Sequence, residues 1–186
     1  MGNRTYCTFL LYASPHSQRD QVIDALRSLE VDLEYATDDL GDDDLGAAVI
    51  AAESGRRTRF VIEEGPLCFA TDAADAFKGL DATWSATADP YAECDGEVVM
   101  FHPGFGQWGA GVDGSGNPHV DCAVLDQLLD HATREVWSLL TVCREVERVS
   151  GRPIRRRFAE MEAAQVELDT AEQVAARAAL HYAGVS

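Results

Sequence analysis

Apolar positions change period three times along this chain. Residues 5–13 (TYCTFLLYA) form a run of β-branched, aromatic and aliphatic side chains, the pattern of a buried strand. Ser14-Pro15 interrupts it, Ser17 offers a helix N-cap, and Val22, Ile23, Leu26 and Leu29 follow at helical spacing. Over residues 31–36, Val31, Leu33 and Tyr35 alternate with Asp32 and Glu34, as in a strand with one wet face. The chain therefore opens β-α-β, with its first strand central in the sheet.

Thr37 to Asp44 reads as an Asp-laden loop, and an Ala-rich helix is expected from Asp44 to about Glu53, closed by Gly55. Arg59 to Glu64 is strand-like, Gly65-Pro66 turns, and Leu67 to Ala70 pairs with that strand or continues it. Residues 72–78 (DAADAFK) predict a short helix ending at Gly79. Strands are expected over Ala82 to Thr87 and Glu97 to His102, with a hairpin around Asp113 to Asn117. Residues 82–121 thus read as an antiparallel meander.

From Cys122 the period becomes helical. Val124, Leu125, Leu128, Leu129, Ala132, Val136, Leu139, Leu140, Cys143 and Val146 form one stripe, which predicts a helix of up to ~28 residues, about 40 Å long. Ser150-Gly151-Arg152-Pro153 ends it, and a second helix is expected from Ile154 to Tyr182. The reading is an α+β protein: an acidic body over residues 1–121 and a long C-terminal helical hairpin over 122–186. Helices this long exceed what the body needs for cover, so the hairpin lies flat on the sheet, projects, or packs against a second copy.

Charge sharpens this picture. Thirty-two acids against fifteen bases give a net charge of -17 over 186 residues. Residues 1–133 hold 24 acids and 7 bases, or -17, whereas residues 134–186 hold 8 of each, or zero. Two segments lack Lys and Arg altogether, one between Arg27 and Arg56 and the other between Lys78 and Arg134. A field of this sign repels nucleic acid and anionic membranes and attracts cations or basic protein surfaces.

Five cysteines (Cys7, Cys68, Cys94, Cys122 and Cys143) are widely spaced and form no C-x-x-C pair. No secretory leader is recognisable, and Tyr6 stands where N-myristoylation requires Ser or Thr. The expected compartment is cytoplasmic, with thiols reduced and mostly buried.

Candidate chemistry is sparse. Gly104, Gly106 and Gly109 spell G-x-G-x-x-G, but a turn follows where a dinucleotide site needs a helix. Asp113, Ser115 and Asn117 resemble the start of a calcium loop, yet position twelve is Val124 instead of a bidentate Glu. His102 and His119 flank this segment on strands expected to be adjacent, with Cys94, Asp113, Asp121 and Cys122 nearby. That grouping raises a metal-dependent hydrolase centred on His102 and His119 as an alternative. No nucleophile elbow or Walker loop occurs, and His16, His131 and His181 stand alone. Arg155-Arg156-Arg157 opens the last helix, either a solvated corner or a dock for an acidic partner.

These features favour a non-enzymatic binding or inhibitor protein, with no cofactor and no metal, that masks the basic nucleic-acid-binding surface of a partner such as a nuclease. The expected partner-binding residues are Asp38, Asp39, Asp42, Asp43, Asp44, Asp89, Glu93, Asp95 and Glu97. A further alternative is an oligomeric scaffold, a homodimer joined through residues 122–182.

Overall fold

A computed structural model describes residues 4–33, 45–91 and 94–183. The protein is α+β. Its strands are β1 (Arg4–Ala13), β2 (Asp32–Leu33), β3 (Thr58–Pro66), β4 (Thr83–Ala88), β5 (Gly96–His102), β6 (Gly106–Val112) and β7 (Pro118–His119). They form one sheet in the order β2-β3-β1-β4-β5-β6-β7, every neighbouring pair antiparallel. The expected meander is present as β4 through β7. The β-α-β opening is present too, with β3 inserted between β1 and β2, so that β1 lies inside the sheet.

Strand alternation builds the core on one face. Register places Phe60, Phe9, Ala86 and Val99 in one row and Leu11, Trp84 and Phe101 in the next. Phe9 stacks on Trp84 at 5.6 Å between ring centroids, and Phe77 meets both rings. Three helices supply the rest of this core: α1 (Arg19–Ser28) through Val22 and Leu26, α2 (Leu45–Glu53) through Ala48 and Val49, and α3 (Phe69–Ala76) through Phe69 and Ala73. Each fully buried large side chain contributes about 1.5–3 kcal/mol. Helix α2 ends at left-handed Gly55 and the segment after α3 turns at left-handed Gly79, as their placement in the sequence implies.

Several expectations need correction. Ser17 does not cap α1; it lies in a 3-10 turn, His16–Gln18, and neither that turn nor α1 starts on a side-chain cap. The Gln18 carboxamide accepts instead from the Asp81 backbone N–H at 2.8 Å. Leu67 to Ala70 does not extend β3 but turns into α3, which begins at Phe69 rather than residue 72. The strand expected over 31–36 is β2 within the described residues, and the loop from Thr37 to Asp44 lies outside them.

The single long helix expected from Cys122 is two, α4 (Cys122–Arg134) and α5 (Leu139–Val149). Val136 adopts a left-handed backbone at φ 53°, and Ser138 starts α5 afresh, its hydroxyl accepting from the Thr141 N–H. Asp121 caps α4 in the same way through Ala123. The final helix, α6, spans Arg152–Ala183. The chain divides into two compact units, Met1–Ile154 and Arg155–Ser186. No helix among the described residues is long and apolar enough to cross a membrane.

Candidate functional site

Antiparallel register decides which loops meet. The start of β1, the ends of β3, β4 and β6 and the starts of β5 and β7 share one end of the sheet. Glu64 on β3, Asp89 and Asp95 in the β4–β5 connection, Glu97 on β5 and Asp113 after β6 all fall there. The first turn of α3, with Asp72, joins them. Arg4 begins β1 at this end, and Arg27 sits near it on α1, paired to Asp24 at 2.9 Å. The other five bases of residues 1–121, which are Arg19, Arg56, Arg57, Arg59 and Lys78, belong to elements at the opposite end. Glu53, paired with Arg19, and Asp81, tied to Gln18, share that opposite end, so among the described residues of 1–121 the two ends of the sheet differ in charge, with acids in greater excess at the first.

Between the end of α1, the end of β3 and α3 lies an open cleft of about 620 Å³. Leu29, Ile62, Pro66 and Phe69 supply apolar wall; Glu30, Glu64, Asp72 and Asp75 supply carboxylates, and no Lys or Arg lines it. All four acids are exposed. Glu30 reaches the cleft from a left-handed backbone, φ 51°, directly after α1. An apolar floor beneath a carboxylate rim fits side chains that carry a cation on an aliphatic stem, as Arg and Lys do. Sequence reasoning misses these four acids because they come from three separate places, Glu30 after α1, Glu64 on β3 and the Asp72/Asp75 pair on α3. The only local signal is the Asp72/Asp75 spacing on one helix face.

The expected partner-binding residues divide. Asp38, Asp39, Asp42, Asp43, Asp44 and Glu93 lie outside the described residues. Asp89 is exposed while its backbone is tied to β1: its N–H donates to the Tyr6 carbonyl, and its carbonyl accepts from the Thr5 hydroxyl at 2.7 Å. Asp95 is exposed and 3.6 Å from His119. Glu97 faces the helices, where its carboxylate accepts from the Thr71 hydroxyl at 2.6 Å and the Thr71 N–H at 3.3 Å. It is therefore also the capping group for an N–H that α3 leaves open.

The alternative centre does not assemble. His102 pairs with Gly106 and His119 with Gly111, so β6 separates the two strands and the histidines stand towards its opposite ends, offset by about 17 Å along the strand direction at the usual rise. Among the described residues no group of three His, Cys, Asp or Glu is placed to hold a metal. Gly106 and Gly109 lie in β6, with no helix before α4. Asp113 spends its carboxylate on the hairpin, accepting from the Asn117 and Ser115 N–H groups at 2.9 Å each. Those bonds hold its pKa below the usual carboxylate value.

The cysteines also differ from expectation. Only Cys7 is buried; Cys68, Cys122 and Cys143 are exposed and Cys94 is intermediate. Cys68 and Cys122 sit at helix starts and Cys143 on the outward side of α5. Within α6, Arg156 and Arg157 both pair with Glu160, at 3.1 and 3.7 Å. No protein-family model matches the chain, and neither a curated protein nor a solved structure does.

Proposed function

We propose that this protein is a non-enzymatic binding protein that covers a basic, nucleic-acid-binding surface of another protein with its acidic sheet end. The observation that carries this reading is the cleft of Glu30, Glu64, Asp72 and Asp75 over an apolar floor, at the same end of the sheet as exposed Asp89 and Asp95. Arginines that reach for phosphates are satisfied equally by carboxylates, and an amphipathic basic segment can seat its aliphatic stems on Leu29, Ile62 and Phe69. The partner is a protein that would otherwise hold DNA or RNA.

A labelled amphipathic peptide rich in arginine tests this by fluorescence anisotropy. The wild type should bind it with an affinity that falls steeply with salt, and should compete with duplex DNA for it. Glu64→Gln, Asp72→Asn and Asp75→Asn combined should weaken binding about tenfold or more at unchanged thermal stability. Equal binding by wild type and triple variant overturns the reading.

A further inference from the structure

Helix α5 contradicts the usual fate of an amphipathic helix. Leu139, Val142, Cys143, Val146 and Val149 recur at three- and four-residue steps, the spacing that normally seats a helix on a core. Yet no residue of α5 is buried. Leu139 is 79% exposed and Leu140 60%, and Val136 before them and Val146 after them are also open. Continuous apolar surface of this kind marks a contact.

Charge selects what covers it. Residues 1–133 carry the whole net charge of -17, so two copies that meet through the first unit's acidic end repel each other. Residues 134–186 sum to zero, and α5 itself carries Arg144 and Arg148 against Glu145 and Glu147. A two-fold interface presents the same patch twice and must complement itself in charge as well as in shape. Residues 140 and 146 lie equally far from 143. An antiparallel pair of α5 helices centred on Cys143 therefore sets Leu140 of each copy against Val146 of the other. A small, uncharged side chain stands at the crossing, where helices approach most closely.

We propose that α5 is the seam of a symmetric homodimer, closed by the α5 of a second copy running antiparallel across Cys143. This proposal does not rest on the reading of the acidic cleft as a partner site.

Light scattering of the full chain at micromolar concentration should give twice the 20.2 kDa chain mass, at low and at high KCl alike. Leu139→Asp with Leu140→Asp should weaken dimerisation about a hundredfold, because the seam would bury two unpaired carboxylates per copy. Since both leucines are exposed in the single chain, its circular dichroism should not change. In a Cys68→Ser, Cys94→Ser, Cys122→Ser background, a short bismaleimide should link copies through Cys143, and Cys143→Ser should abolish the link. A monomeric wild type, a dimer that survives the double aspartate variant, or association that appears only in high salt overturns the proposal.

Discussion

Gly151 lies against the indole of Trp108 so closely that a β-carbon at 151 would stand 2.1 Å from its Cε2 atom. The same indole donates its N–H to the Val149 carbonyl at 3.0 Å. A residue of β6 thereby holds the end of α5, and φ 63° at Gly151 lets the chain turn there. Gly151→Ala should cost about 2–4 kcal/mol, part from the left-handed backbone and part from the clash with a rigid ring. Urea unfolding measures this. With Trp108→Ala already in place, the same substitution should cost only about 1 kcal/mol, the backbone share. Additive costs would sink the explanation.

Arg19 and Glu53 tie α1 to α2. The guanidinium donates from Nε at 2.7 Å and from Nη2 at 2.5 Å, and His16 adds a contact at 3.1 Å. These bonds, with Arg19 first, hold the Glu53 carboxyl down at about 2. A carboxylate that titrates lower folded than unfolded contributes stability above its ordinary pKa and loses it as pH falls through the folded value. Urea midpoints of wild type and Glu53→Gln should therefore differ above roughly pH 4.5 and converge towards pH 2. A gap that stays constant across this range would mean the carboxylate's charge is not involved.

Thiol reactivity should be ordered by environment. Burial, with Asp89 nearby, pushes the Cys7 thiol up to about 12. The Cys68 thiol donates to Asp72 at 3.2 Å, and that bond, aided by partial burial, raises its pKa as well. Cys122 is exposed and carries no such bond to a carboxylate. Of these three, maleimide labelling followed by peptide mapping should find Cys122 modified before Cys68, and Cys7 only in denaturant. Labelling of Cys7 in the native protein at the rate of Cys122 would refute the order.

Much of the fold is legible in local pattern. The run 5–13, the short helices ended by Gly55 and Gly79, and the meander from Thr83 onward follow from period, glycine and turn chemistry. What stays hidden is set by distance or by strain. Nothing in residues 58–66 announces that they slip between β1 and β2, since that order rests on Phe9 meeting Phe60 across fifty residues of chain. The break at Val136 is hidden because a β-branched residue is the least expected choice for a left-handed backbone and the apolar stripe runs through it undisturbed. Ser138, with Thr141 three residues on, was the one mark of a new helix. For the acidic site, Asp89, Asp95 and Glu97 were visible as neighbours in sequence. Glu30, Glu64 and Asp72 become neighbours only when α1, β3 and α3 converge.

Among the described residues of 1–121, acids outnumber bases more heavily at one end of the strands than at the other, which gives this part of the molecule a dipole as well as a negative charge. In the field of a cationic surface such a body rotates before it touches, and the turning force acts over about a Debye length, ~10 Å at moderate ionic strength. Encounters are then aimed in advance: the carboxylate end leads, and the end bearing Arg56, Arg57 and Arg59 trails. Two molecules of equal net charge, one polarised and one uniform, would capture the same target at different rates, and salt would erase the difference.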